Sequence, residues 1–194
     1  MTQTETVLFG SSRHDELVES GFLPVGESWG ARLEVSLSVL SLCREIVVGA
    51  EDSGFVCGEL GRSDLGDVVH LESLVAGDYP STPATVHEAP SLRELEALSD
   101  GGVRSFGIRH DGSLVAVTLV GSVADRAETE FTSVHPEYRR RGLAKAVKAS
   151  SILALAVEGA ELFGTGGAAV NEASIRMNEA LGYRITERWV SLER

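Results

Sequence analysis

The residues whose types and spacing point most directly to chemistry are Ser133-Val134-His135-Pro136-Glu137-Tyr138-Arg139-Arg140-Arg141-Gly142-Leu143-Ala144. Pro136 has no ladder donor, so a strand that reaches Val134 must stop there. Beyond it, Arg139-x-x-Gly142-x-Ala144 opens a long helical pattern. Small residues at 142 and 144 allow close approach of backbone to a ligand. The free N–H groups of the first turn, around Leu143, point outward, and the helix dipole favours an anion there. Arg139, Arg140 and Arg141 concentrate positive charge at the same place. The chemistry is that of a phosphate or pyrophosphate cradle. The plainer alternative is a solvated basic cluster before an ordinary helix. There is no G-x-x-x-x-G-K-[ST] and no G-x-G-x-x-G after a strand.

Upstream, Glu128, Glu130 and Thr132 alternate onto one face of a strand. Two carboxylates on one face beside a cleft can raise each other's pKa and serve as a general base; alone, each is equally a solvated strand charge. No Ser-His-Asp or Cys-His pattern is present. His70, His87, His110 and His135 are scattered without ligand spacing, so no metal site is expected. His135 adjoins the cradle, as a catalytic neighbour or an exposed strand-end residue.

These groups sit in a chain of 194 residues with 17 basic and 29 acidic side chains, a formal charge of −12, and 43% hydrophobic residues. The composition is globular. The charge argues against nucleic acid as partner, and suits a cationic substrate as well as simple solubility. Two cysteines, Cys43 and Cys57, build no disulfide framework and read as free thiols in a reducing compartment. The N-terminus lacks the pattern of a signal peptide, and no apolar run approaches a membrane span. The expectation is a cytoplasmic protein without membrane partners.

The elements that must position the cradle follow from periodicity and turns. Leu33, Val35, Leu37 and Val39 alternate with polar residues and predict a strand; Arg44 to Ala50 is a second strand candidate. Phe55 to Leu60 resumes as strand. Leu65 to Val75 carries helical spacing, and Ser91-Leu92-Arg93-Glu94 is a capping box. Three strands follow, Val103–His110, Leu114–Val123 and Ala127–Val134, the first two joined by Asp111-Gly112. Then come a helix from about Gly142 to Glu158, a strand from Glu161 to Thr165, a helix from Glu172 to Leu181 and a last strand from Tyr183 to Leu192. The order from residue 55 is β-α-α-β-β-β-α-β-α-β, an α+β sheet with helices on both faces.

With that order around it, Val134-x-Pro136-x-x-Arg139-x-x-Gly142-x-Ala144 resembles the acyl-CoA-binding motif of GNAT-family N-acetyltransferases, over residues 55–194. The resemblance implies a mixed, mostly antiparallel sheet with one splayed parallel pair, here Ala127–Val134 and Glu161–Thr165. It implies that the amides around Gly142, Leu143 and Ala144 hold the pyrophosphate of acetyl-CoA, and that the Val134 backbone N–H polarises the thioester. Thr165, Asn171, Asn178 and Leu181-Gly182-Tyr183 resemble the ending of actinobacterial members similar to mycothiol synthase. Gly167 and Ser174 depart from that pattern. Thr165, Asn171 and Asn178 thereby join the candidate cofactor contacts; Asn171 is equally an N-cap. Asn178 stands where many members carry a tyrosine acid, and an amide has no transferable proton. Tyr183 is either a phenol for that role or a core residue. Glu128 stands where some members carry a catalytic glutamate. The loop from Tyr79 to Glu88, with Asp78, Tyr79 and Glu88, lies where the family forms its acceptor site.

Residues 1–54 form an N-terminal extension. Gly21-Phe22 followed by Trp29 and Arg32-Leu33-Glu34 parallels Gly182-Tyr183 followed by Trp189 and Ser191-Leu192-Glu193. The extension therefore resembles the closing helix–strand unit of a second GNAT repeat, whose strand extends the sheet or pairs with a second subunit in a homodimer. The expected function is acetyl transfer from acetyl-CoA to a primary amine, on a small molecule or a peptide N-terminus, by direct attack. The alternatives are a non-catalytic acyl-CoA-binding or sensing module, and an interaction domain without cofactor.

Overall fold

A computed structural model describes residues 3–80 and 82–194. Eight strands form one sheet in the order β1-β8-β2-β7-β6-β5-β4-β3. The strands are β1 (Thr4–Leu8), β2 (Leu23–Glu34), β3 (Val56–Leu60), β4 (Arg104–His110), β5 (Ser113–Val123), β6 (Arg126–Val134), β7 (Leu162–Ala168) and β8 (Arg184–Glu193). All neighbours are antiparallel except β6 and β7, which run parallel. The helices are α1 (Ser12–Glu19), α2 (Leu37–Asp52), α3 (Leu65–Val75), α4 (Leu92–Asp100), α5 (Leu143–Val157) and α6 (Glu172–Glu179). Helices cover both faces, in the mixed, mostly antiparallel arrangement expected.

The larger core lies between the sheet and the α2/α5 layer, built on Phe106, Ile108, Val147, Ile152 and Phe163. A second core joins α3 and α4 to the other face through Leu65, Val68, Leu95, Val117 and Leu119. Local signals explain several joints. Asp111 and Gly112 take φ of 50° and 81°, the positive values that a tight hairpin between β4 and β5 demands. Ser91 closes its capping box with Glu94 at the start of α4.

The first 55 residues fold differently from the pattern in their sequence. The strand expected over Leu33–Val39 ends at Glu34, and the strand candidate Arg44–Ala50 lies inside helix α2. Ser36 decides the matter: its hydroxyl accepts the Val39 N–H at 3.2 Å and caps the helix. From there the relevant spacing is Val39, Cys43, Ile46, Val47 and Ala50, all packed on the main core. Leu37, the apolar residue that extended the alternation, is 88% exposed. The true strand alternation lies earlier, with Trp29, Ala31 and Leu33 buried.

β2 runs between β7 and β8 and pairs with both. It holds β7 from Leu162 to Ala168, along that strand's full length. β6 holds β7 only from Leu162 to Gly164. The strand from the N-terminal segment thus keeps β7 in the sheet where β6 has left it. No helix among the described residues is long and apolar enough to cross a membrane.

Candidate active site

The last registered pair between β6 and β7 is Glu128 with Gly164. Beyond it the two strands diverge. A bulge on β6 contributes: Thr129 faces Val120 and Phe131 faces Leu119, which leaves Glu130 without a cross-strand partner on β5. The gap is part of a cleft of about 620 Å³, a size that suits a small-molecule arm. Its walls come from β6, β7, Trp29 of β2, helices α5 and α6, and the loop that follows α3.

Val134 presents its backbone to this gap. The His135 N–H donates to the Val115 carbonyl at 2.9 Å, which makes the registered Ala116/Val134 pair the non-hydrogen-bonded kind. The Val134 amide therefore points away from β5, toward the side that β7 has vacated. His135 itself has a local role, its Nδ1 accepting the Glu137 N–H at 3.3 Å.

At the mouth of the gap α5 begins. Gly142 is its N-cap residue with φ of 79°, and Arg140 also has a positive φ of 62°. A Cβ built at Gly142 meets nothing within 4 Å, so the space above the helix start is open. Among the described residues Arg140 and Arg141 have no carboxylate partner; Arg141 lies over the Tyr138 ring at 5.0 Å. Arg139 is committed elsewhere. Its guanidinium donates to Asp78 at 2.5 Å and to the Val134 carbonyl at 3.2 Å, tying the cradle to the turn that follows α3. Leu143 is buried beneath the cradle and Ala144 lines the cleft.

Thr165, Asn171 and Asn178 all line the cleft. Asn171 caps α6, its side chain accepting the Ser174 N–H at 3.1 Å. Asn178 and Thr165 meet on a residue that no motif singled out. Lys148 of α5 is 2% exposed, and its Nζ donates to Asn178 Oδ1 at 2.7 Å and Thr165 Oγ1 at 3.0 Å. The Tyr183 ring lies 4.8 Å from the same nitrogen. Burial lowers the Lys148 pKa from its ordinary value to about 7. Tyr183 is a core residue, and burial pushes its phenol up.

The carboxylates part company. Glu130 lines the cleft. Glu128 lies over Gly164, where any side chain would collide with it, and faces the Arg32 guanidinium at 3.4 Å. The acceptor-side loop also differs from expectation. Asp78 is taken by Arg139. The Tyr79 hydroxyl is taken by Ser133 Oγ at 2.5 Å and the Thr132 carbonyl at 3.2 Å. Glu88 is exposed outside the cleft wall, and Ser81 lies outside the described residues. The group that does face the cleft is His87, 2.7 Å from the fully buried carboxylate of Glu72 and stacked on Tyr79 at 3.9 Å. Burial pushes the thiols of Cys43 and Cys57 up to about 11, which removes both as nucleophiles near neutral pH.

Lys148 and Glu72 each had a signal in the sequence. Lys148 shares the buried stripe of α5 with Ile152 and Leu155, and Glu72 that of α3 with Leu65, Val68 and Val75. A charge at a core position of an amphipathic helix needs a partner or a function.

Residues 101–192 match the family model described as GNAT acetyltransferase. Over that span the chain is similar to the GNAT acetyltransferases. Solved structures agree in fold. A GCN5-related N-acetyltransferase from Sphaerobacter thermophilus superposes with a TM-score of 0.74 at 14% identity, covering 100% of this chain and 59% of that one. One from Kribbella flavida gives 0.63 at 20% identity, covering 98% and 67%. A tandem GNAT protein from the clavulanic acid biosynthesis pathway gives 0.67 at 21% identity, covering 100% and 63%. This chain thus spans about three fifths to two thirds of the length of these structures. No curated protein matches it by sequence.

Proposed function

We propose that the protein transfers an acetyl group from acetyl-CoA to a primary amine by direct attack of the amine. The observation that carries this reading is the gap between β6 and β7, which opens beyond Glu128/Gly164 and faces the free N-terminus of α5. The site suits a thioester arm ending in pyrophosphate. The space over Gly142 is open, Arg140 and Arg141 supply unpaired positive charge, and the first-turn amides point to the anion. Acetyl-CoA, when bound, supplies an activated acyl group on a thiol leaving group.

The residues then divide the work. Gly142, Leu143 and Ala144 hold the pyrophosphate through backbone, with Arg140 and Arg141 adding charge. Arg139 fixes the cradle to Asp78. The Val134 N–H, at the cradle end of the gap, holds the arm rather than the acyl carbonyl, which lies deeper between the strands. Thr165, Asn171 and Asn178 wall the arm. Amine deprotonation falls to the acceptor side, where Glu130 and the His87–Glu72 pair face the cleft; Arg32 holds Glu128 apart from it. The acceptor is a small amine or a peptide N-terminus, and the acidic chain suits its cationic form. Residues 1–54 are the closing unit of a second repeat. α1-Gly21-Phe22-β2 and α6-Gly182-Tyr183-β8 share a helix, a glycine with positive φ, a buried aromatic and a strand, and the two strands pair antiparallel.

Thermal shift with acetyl-CoA tests the reading. At about 100 times its dissociation constant the ligand stabilises by roughly 2.7 kcal/mol. Gly142→Glu places a like charge in the cradle and abolishes the shift; a shift retained in that variant would move the site elsewhere. A non-catalytic acyl-CoA-binding module, favoured by Asn178, whose amide has no transferable proton, would show the shift but release no thiol across an amine panel.

A further inference from the structure

We propose that Lys148, aimed by Asn178, is the proton donor to the sulfur that leaves when the acyl group is transferred. The proposal rests on the acetyl-CoA reading above and adds a residue to it.

Geometry comes first. Thr165, which accepts from Lys148, is the first residue of β7 past the last pair with β6. The Lys148 nitrogen is therefore at the apex of the gap, at the closed end opposite the cradle. An arm that enters beside Gly142 and lies between the diverging strands brings its reactive end toward this apex. Asn178 is fixed by its own amide, whose Nδ2 donates to the Ser174 carbonyl at 2.9 Å. That bond leaves Oδ1 to receive Lys148 at 2.7 Å and sets the direction of the side chain.

Charge comes second. A lysine at 2% exposure normally has a carboxylate partner. Lys148 has two neutral oxygens and an aromatic face, and an ammonium has three donors. The titratable groups around it are few. The ring of Tyr183, just before β8, lies beneath it, and Cys43 of α2 and Glu128 of β6 are the ionisable groups nearest that phenol. Glu130, Tyr79 and His87 line other walls of the cleft. None of these pairs with Lys148, so the anion that completes its environment must arrive through the cleft. A leaving sulfur is such an anion. Burial holds the Lys148 pKa near 7, where proton donation and recharging are both accessible.

The step balances. As the carbon–nitrogen bond forms, the attacking amine gives its proton to the acceptor-side base. The carbon–sulfur bond breaks and its electron pair stays on sulfur. Lys148 gives one N–H proton to that sulfur and is left as a neutral amine, which water reprotonates. The products are an amide and a thiol.

The test needs no acceptor. CoA, the free thiol, is bound to the full chain and its thiolate is titrated by ultraviolet absorbance, in the wild type, Lys148→Met and Lys148→Arg. A cation beside sulfur lowers the thiol pKa by about one unit or more relative to free CoA. The wild type and Lys148→Arg are expected to show this lowering and Lys148→Met to lose it. A thiol that titrates in the wild-type complex as it does in free solution overturns the proposal, even if Lys148→Met fails to fold. Equal lowering in Lys148→Met overturns it too. Failure of CoA and acetyl-CoA to bind at all overturns the acetyl-CoA reading itself, a result distinct from both.

Discussion

Glu128 and Gly164 are the last residues that β6 and β7 share, and the carboxylate of the first occupies the space that a side chain on the second would need. Arg32 of β2 reaches the same carboxylate. Three strands are thus joined at the point where the cleft begins. Past it, β7 depends on β2, and β2 belongs to the N-terminal segment.

The dependence of β7 on β2 can be tested at Gly166. A Cβ there would stand 2.7 Å from the Trp29 carbonyl oxygen, a backbone atom in the partner strand. Gly166→Ala must push β2 and β7 apart, at a cost of roughly 1–3 kcal/mol. Urea denaturation measures it. Unchanged stability would mean that β7 moves freely against β2 and that the gap is not held from that side.

Truncation of residues 1–54 asks the same question more severely. It removes β2 from the middle of the sheet and takes Trp29, Ala31 and Leu33 out of the main core. The expected product is insoluble or lacks a cooperative melt. Leu33→Ala is the milder form, with an expected cost of about 2–5 kcal/mol for a buried leucine. A truncated chain that melts at the wild-type midpoint would reduce β2 to an appendage.

The C-terminal two thirds were legible because their signals are local and consistent. The Asp111-Gly112 turn, the Ser91 box and the proline that stops β6 each act within a few residues. The N-terminal part was harder because Leu33 to Val39 alternates across a true boundary at Ser36, and one serine's capping bond outweighs the pattern. The cradle was readable as a motif. The Lys148–Asn178 and His87–Glu72 pairs were not, since their partners are 30 and 15 residues apart and meet only through the tertiary fold.

Lys148 also makes stability depend on pH. Its folded pKa is lowered to about 7, while in the unfolded chain lysine titrates near about 10.4. Between these values the unfolded state binds the extra proton, so raising the pH penalises unfolding. Without CoA, the wild type should gain about 1.4 kcal/mol per pH unit relative to Lys148→Met from pH 7 toward pH 10, and no further change should appear below pH 7. Urea denaturation at several pH values gives the difference. A flat difference would mean that Lys148 keeps its proton in the folded protein.

The His87–Glu72 pair predicts non-additivity. Glu72 is fully buried, Oε1 has no partner among the described residues, and Oε2 is held by His87 at 2.7 Å. His87→Leu strands that carboxylate, and loss of one member of a buried pair costs roughly 3–5 kcal/mol. Replacing both by leucine removes the stranded charge along with its partner, and apolar replacements of buried pairs are often neutral. The double variant should therefore be more stable than His87→Leu alone. A double-mutant cycle by urea denaturation reads the coupling. Additive effects would show that Glu72 and His87 act independently, and would remove the reason for treating His87 as a base oriented by a buried carboxylate.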